Sequence, residues 1–242
     1  GQWFALTLIS HMRDPYSDIG IVKADGSKTI YNITESAYID GSPHWAMEGN
    51  AIIYRSNRYG MRSHASWGSQ NDAFIAFLNQ DAYDKFRLSK EEYALLKETE
   101  KGKKDDKKDE AKKEEKSDKK KGKKDDKKDD PSTGSGTSKD EKPKETKKIE
   151  VDLEHLQDRV IRLTPMSSNL SAMALTNDGE KFYFMTSFEK GYDLWEMDVR
   201  EKSMKITKKL GQGGAQLRMN GDNLFVLSGN NLQKLDKGGK NR

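Results

Sequence analysis

The 242-residue sequence contains no cysteine, which excludes disulfide bonds, thiolate catalysis and cysteine-based zinc sites. It also contains no apolar run near the ~18 residues that a bilayer-spanning helix needs, so we predict no membrane insertion. Residues 1–9 are apolar, but they lack a charged start and a cleavage site, so they do not form a signal peptide. Because the sequence starts without Met, it is expected to be a segment of a longer polypeptide.

Apolar residues are scarce, at 33% of the chain against the ~45–50% of an average soluble domain. The shortage is local, because residues 101–150 hold 20 Lys and 15 Asp or Glu. The rest of the chain has 24 Lys or Arg and 25 Asp or Glu, so it is almost neutral. The basic pI is therefore no evidence for a nucleic-acid-binding face, and no nucleic-acid partner is predicted. Residues 101–148 lack the apolar side chains that could offset the entropy of ordering them, so we predict disorder there.

A turn followed by a β-branched and aromatic run is the feature that repeats along the chain. Asp178-Gly179 should form a tight hairpin turn with positive φ at both central residues, and the run after it has strand character. Similar runs begin at Gly49 and Gly221, so the chain is interpreted as a hairpin repeat. The three copies occupy residues 47–56, 177–187 and 219–228.

The spacing of these turns predicts a β-propeller made of four-stranded blades. Gly179 and Gly221 are 42 residues apart, a normal length for one blade. Gly49 and Gly179 are 130 residues apart, and most of the excess lies between a third strand at 72–79 and a fourth strand at 159–164. The charged segment is therefore predicted to be an insertion within one blade, with both ends emerging close together.

We therefore predict an all-β partial propeller of about three blades with one helical and disordered insertion. Its helical part carries a capping-box signal, because Ser89 and Glu92 can each accept a backbone hydrogen bond from the other residue. The predicted divisions are a partial first blade (1–37), strands one to three of the second blade (38–79), a helical insertion (80–100), the disordered insert (101–148), a return segment with the fourth strand (149–164), a third blade (165–210), and a partial fourth blade with a polar tail (211–242).

Short motifs add a family resemblance over most of residues 38–210. Ser42-Pro43-x-Trp45 followed by Gly49 and a strand is similar to the propeller repeat shared by the translocation protein TolB and the tricorn peptidases. The segments 81–92, 151–165 and 188–195, taken in order around the Lys-rich insert, resemble the N-terminal propeller of bacterial tricorn-like serine peptidases. That family is related to the C-terminal processing peptidases.

The resemblance implies a non-catalytic periplasmic segment that gates or binds peptides for a serine peptidase. Its implied partners are a peptide or unfolded protein substrate, the remaining blades and the peptidase domain of the parent chain. A partial propeller also has open sheet faces at both ends, and we expect the remaining blades or self-association to cover them. The family's catalytic residues lie in a C-terminal domain that no position here matches, so no catalytic residue is predicted. We also predict no cofactor and no metal. The alternative is a TolB-like binding propeller that acts in envelope protein–protein contacts.

The long hairpin loop at 57–71 is the candidate binding element, because loops on a rigid scaffold often carry function. Arg58 and Arg62 are predicted to hold a peptide carboxylate, while Tyr59 and Trp67 cover apolar side chains. The competing interpretation is a solvated loop that packs on the next blade or on a peptidase domain.

Overall fold

The computed structural model describes residues 2–9, 15–62, 68–100, 148–188, 191–212, 215–221 and 223–235. It divides into two compact units, one made of Gly1–Leu88 with Lys148–Arg242 and the other of Ser89–Lys147. The predicted disorder at 101–148 lies outside the described residues, apart from Lys148. Within the described ranges, no helix is both long and apolar enough to cross a membrane.

The first unit consists of four antiparallel sheets, in which strands adjacent in the sheet are also adjacent along the chain. Sheet I contains β1 (Trp3–Ile9), β2 (Ser17–Lys23) and β3 (Ile30–Asn32). Sheet II contains β4 (Asp40–Ala46), β5 (Ala51–Ser56), β6 (Asp72–Phe77) and β7 (Val160–Arg162). Sheet III contains β8 (Asn169–Leu175), β9 (Lys181–Ser187), β10 (Tyr192–Asp198) and β11 (Met204–Gln212). Sheet IV contains β12 (Ala215–Asn220), β13 (Asn223–Ser228) and β14 (Asn231–Leu235).

Successive sheets pack face to face, because alternate side chains of a strand point to opposite faces. In β5, Ile52 and Tyr54 enter the apolar core shared with sheet I, whereas Ile53 enters the core shared with sheet III. In β9, Phe182 faces sheet II, while Tyr183 faces sheet IV. The aromatic residues at alternate strand positions therefore pack between sheets: Trp45, Tyr54, Phe74, Phe182, Phe184 and Trp195.

The turn glycines have the predicted conformation, but the residue before one of them does not. Gly49, Gly179 and Gly221 all have positive φ, at 93°, 72° and 58°. Asp178 does not have positive φ, so the predicted geometry at both central residues is wrong there. The Asp178 carboxylate instead accepts hydrogen bonds from the Thr176 hydroxyl (2.6 Å) and the Glu180 N–H (3.1 Å). These local bonds hold the aspartate in an ordinary turn conformation.

The insertion begins with two helical segments. The helix α1 (Gln80–Arg87) follows β6 directly, and the Asn79 side chain caps it by accepting a hydrogen bond from the Ala82 N–H at 2.9 Å. In the second unit, residues 90–100 are helical and start with the predicted capping box. The Glu92 N–H donates to Ser89 Oγ at 3.2 Å, and the Ser89 N–H donates to Glu92 Oε2 at 2.8 Å.

Two arginines hold the first unit together where the insertion leaves and returns. Arg200, just after β10, donates to the carbonyl oxygens of Phe86 (3.3 Å) and Leu88 (2.5 Å) at the end of α1. These carbonyls have no partner within the helix, and a cation at a helix C-terminus is favourable. Arg159, before β7, is 4% exposed and binds the returning chain. It donates to the carbonyl oxygens of Phe77 (3.3 Å), Glu154 (2.9 Å) and Asp152 (2.6 Å).

We predict that Arg159→Ala lowers the free energy of unfolding by about 2–4 kcal/mol, because it leaves buried carbonyl oxygens without their charged donor. Urea unfolding followed by circular dichroism measures the loss. Arg87→Ala is the control, since Arg87 is exposed and, among the described residues, its recorded side-chain contact is with the Tyr83 ring, at 5.3 Å. Its expected cost is about 0.5 kcal/mol. Equal costs for the two variants would contradict the role of Arg159.

Candidate functional site

The loop between β5 and β6 folds back on itself in its described parts, 57–62 and 68–71. The Gln70 N–H donates to the Met61 carbonyl oxygen at 2.9 Å, and Arg62 forms a β-bridge with Ser69. Gly60 makes this closure possible, because a Cβ there would lie 1.7 Å from the Gln70 carbonyl oxygen. The base of the loop is therefore closed by backbone contacts, which fix the positions of residues 58, 59 and 62.

An aromatic stack extends from the core between sheets I and II to this loop. The Tyr54 and Phe74 rings stack with centroids 5.7 Å apart, and the Phe74 and Tyr59 rings stack at 6.0 Å. Tyr54 and Phe74 are buried, whereas Tyr59 is 55% exposed. Tyr59 is thus a surface aromatic residue whose position is fixed by packing on the core.

Three guanidinium groups surround Tyr59 and its neighbour Tyr38. The Arg58 guanidinium lies 5.6 Å from the ring centroid of each tyrosine, and that of Arg62 lies 5.8 Å from Tyr38. Arg162 lies 5.0 Å from Tyr59. No carboxylate among the described residues forms an ion pair with Arg58 or Arg62. We call these five residues the arginine–tyrosine cluster, and it can bind an anion beside an apolar surface.

Asp72, the first residue of β6, holds Arg162 of this cluster in position. Its buried carboxylate accepts hydrogen bonds from Arg162 Nε (3.1 Å) and Nη2 (2.8 Å), from Thr164 Oγ1 (2.9 Å) and from Ser167 Oγ (2.7 Å). Charge-assisted bonds of this kind fix a guanidinium in position. Arg162 is therefore oriented by Asp72, and its guanidinium lies over the Tyr59 ring.

Sheet I repeats this arrangement at the corresponding place. Asp18 accepts hydrogen bonds from Asn32 Nδ2 (2.7 Å) and Thr34 Oγ1 (3.3 Å), just as Asp72 does from Arg162 and Thr164. In both sheets, an aspartate at the start of one strand is thus bound by residues at or just after the end of the next strand. This pairing is a second repeat signal that sequence reasoning missed.

A small cavity of about 50 Å³ lies next to the cluster, between sheets I and II. Asp40, the first residue of β4, lines it and is almost fully buried. Burial raises the pKa of Asp40, and the Asp18 carboxylate adds to this, while the hydroxyl groups of Ser56, Ser36 and Thr34 oppose it. The cavity is lined by Thr34, Ser36, Asp40, Tyr54, Ser56, Arg58, Phe74, Gln157 and Val160.

The structure brings three of the four predicted contact residues together. Arg58, Tyr59 and Arg62 belong to the arginine–tyrosine cluster, and their role in peptide binding stays a prediction. Trp67 lies outside the described residues. Sequence reasoning missed Tyr38 and Arg162, because both reach the loop from distant parts of the chain. In the part of the chain that the structure describes, no group of three or more His, Asp or Glu side chains could hold a metal ion.

Comparison with known proteins gives structural neighbours but no sequence relatives. No protein-family description matches the sequence, and no curated protein matches it. Three similar solved structures are TolB from Acinetobacter baumannii, the tricorn protease and the hydrazine synthase of Kuenenia stuttgartiensis. Their TM-scores are 0.53, 0.53 and 0.51, with 12%, 11% and 12% identity. The alignments cover 100%, 99% and 97% of this chain but only 41%, 20% and 30% of the neighbours.

The likeness to TolB and the tricorn protease establishes the fold as a β-propeller, which confirms the predicted fold class. Sheets I to IV are accordingly four consecutive blades or parts of blades. The chain spans less than half the length of each of these neighbours.

We predict that Asp72→Asn destabilises the protein by about 3–5 kcal/mol, because the amide places a donor where four hydrogen bonds are accepted and leaves Arg162 without its counterion. Chemical denaturation measures this cost. Asp158→Asn, at a carboxylate that is 81% exposed, serves as the control and should change stability by less than about 0.5 kcal/mol. An Asp72→Asn protein as stable as the control would contradict the anchoring role.

Proposed function

We propose that this chain is part of a peptide-binding β-propeller whose binding face is the arginine–tyrosine cluster. The observation that carries the proposal is the pair Arg58 and Arg62, two exposed guanidinium groups that share the ring of Tyr38. A guanidinium that lies over an aromatic ring can still donate its N–H groups to a carboxylate. A peptide with a free C-terminus or an acidic side chain supplies that carboxylate.

Apolar surface beside the arginines suits the rest of a peptide. Tyr59 is 55% exposed and Met61 is 74% exposed. Tyrosine offers a large contact area at low entropic cost, and methionine adapts to differently shaped side chains. The cluster would therefore fix the acidic group of a peptide while tolerating variety in its neighbours, which fits a protein that handles many peptides.

The finer proposal is a non-catalytic segment that gates peptide substrates for a tricorn-like serine peptidase in the periplasm. The motif resemblance and the fold likeness to the tricorn protease support it. The remaining blades and a peptidase domain would be its partners in the parent chain. Sheets I and IV expose Phe4, Ile30 and Leu232 on the faces turned away from their neighbouring sheets, and we propose that another blade or a second copy covers these faces.

The alternative is a TolB-like binding propeller that acts in envelope protein–protein contacts. The likeness to TolB, which aligns over the whole of this chain, favours it. Casein hydrolysis by the full native gene product distinguishes the two. Under the peptidase proposal we expect that product to cleave casein through a serine nucleophile, while the 242-residue chain does not. An inert full-length product would instead support the binding propeller.

We predict that Arg58→Ala and Arg62→Ala each weaken binding of an acidic peptide by about 10-fold or more, because each removes a charge-assisted contact. Fluorescence anisotropy of a labelled peptide that ends in a free carboxylate measures the effect. The C-terminal amide of the same peptide should bind the wild-type chain more weakly.

Arg87→Ala is the matched control for this binding experiment. Arg87 is also exposed and also stacks on a tyrosine, but it belongs to α1. It should bind the peptide as the wild-type chain does. Unchanged binding in both cluster variants would remove the cluster as the peptide site, and an equal loss in the control would indicate only non-specific attraction.

A further inference from the structure

We infer that the cavity between sheets I and II is a binding site for a monovalent metal cation, Na⁺ or K⁺, with the Asp40 carboxylate as its charged ligand. The inference concerns the joint between two blades, and it does not depend on peptide binding by the arginine–tyrosine cluster.

The Asp40 carboxylate lacks the partners that a buried charge requires. Its side chain is 1% exposed, and Oδ2 accepts one hydrogen bond from Ser36 Oγ at 2.8 Å. Oδ1 is buried and has no hydrogen-bond partner. The hydroxyl groups of Ser56 and Thr34 are near enough to lower the pKa of Asp40, but neither forms a hydrogen bond with Oδ1. A buried carboxylate with one oxygen left without a hydrogen bond is costly unless a cation or a proton neutralises it. Oδ1 is therefore available as a ligand for a cation.

The cavity offers further oxygen ligands for such a cation. The cavity is lined by Thr34, Ser36, Ser56 and Gln157 together with Asp40. Hydroxyl and amide oxygens are suitable ligands for hard cations. The volume of about 50 Å³ exceeds the ~10–15 Å³ that one water requires. An alkali cation with part of its water shell would therefore fit.

The surrounding charges favour a single positive charge. Asp18 lies beside Asp40 from β2, but its carboxylate already accepts hydrogen bonds from Asn32, Thr34 and the Ser36 N–H. Arg58 stands at the rim, where its guanidinium stacks on tyrosine rings. Tyr54 is the remaining titratable group on the cavity wall. With one free carboxylate oxygen, the site suits a monovalent ion, since divalent ions recruit several carboxylates.

The next blade shows that the propeller does not need a carboxylate at this position. In β4, Asp40 pairs with Ser56, seven residues after the turn glycine Gly49. In β8, Leu170 pairs with Thr186, seven residues after Gly179. Leu170 is buried in the apolar core between sheets II and III. The same strand position is thus filled by leucine in one blade and by a carboxylate beside a cavity in the other.

Thermal unfolding of the 242-residue chain in three chloride salts tests the inference. The salts are sodium, potassium and tetramethylammonium chloride at equal concentration and about pH 8, well above the ordinary pKa of a carboxyl group. Tetramethylammonium matches the ionic strength but is too large for the cavity. We expect Na⁺ or K⁺ to raise the Tm of the wild-type chain by about 2–4 °C over tetramethylammonium, and the larger shift identifies the preferred ion.

The Tm of the Asp40→Asn variant should not change between the three salts, and neither should that of the Asp40→Leu variant. The leucine variant has the side chain that the next blade has at this position. Line broadening of the sodium NMR signal by the wild-type chain, absent in these variants, gives a second readout. A wild-type Tm that is equal in the three salts would overturn the inference. If a proton and not a metal cation neutralises Asp40, the Tm should rise in every salt as the pH falls through the raised pKa of Asp40. The reason is that a raised pKa favours the protonated carboxyl group in the folded state. A cation response that survives in both variants would place the ion elsewhere.

Discussion

The structure depends on burial of both faces of its middle sheets. β5 sends Ile52 toward sheet I and Ile53 toward sheet III, and β9 divides Phe182 and Tyr183 in the same way. A sheet that is apolar on both faces cannot be stable alone in water, so it requires a neighbour on each side. A one-residue slip of a strand would exchange the side chains of its two faces, so packing also determines the register.

Because the faces of these sheets are apolar, the buried carboxylates lie at the ends of the strands. Asp18, Asp40 and Asp72 all lie at or next to the first residue of a strand, and all are buried. Asp18 and Asp72 are bound by the residues that end the neighbouring strand, which closes the edge of each sheet. Asp40 lacks an equivalent set of partners. The carboxylates therefore differ in role although they occupy similar places.

The fold was predictable because its signals are local and repeated. Each turn glycine, with its positive φ and the apolar run after it, can be recognised within about ten residues of sequence. The interruption of the repeat likewise identified the insertion, and β7 does pair with β6 across it. The helix α1 lies within the predicted helical insertion, 80–100, although the capping-box signal marked only the helix that follows it.

The site was less predictable because its contacts join distant segments. The loop length pointed to Arg58, Tyr59 and Arg62, but Tyr38 comes from the segment before β4. Arg162 comes from beyond the insertion, 90 residues after the Asp72 that orients it. No local pattern shows that these side chains share one surface. The pairing of β6 with β7 brings Arg162 to the loop.

The position of the insertion explains how the site can tolerate it. The binding loop leaves sheet II where β5 ends and β6 begins, at Ser56 and Asp72. The chain departs for the insertion at the other end of β6, after Phe77, and Arg159 binds the Phe77 carbonyl oxygen where it returns. Because the entropy of closing a loop grows only slowly with its length, a long insertion held by such contacts costs the blade little. Changes in the inserted segment therefore leave the strand ends that form the arginine–tyrosine cluster in place.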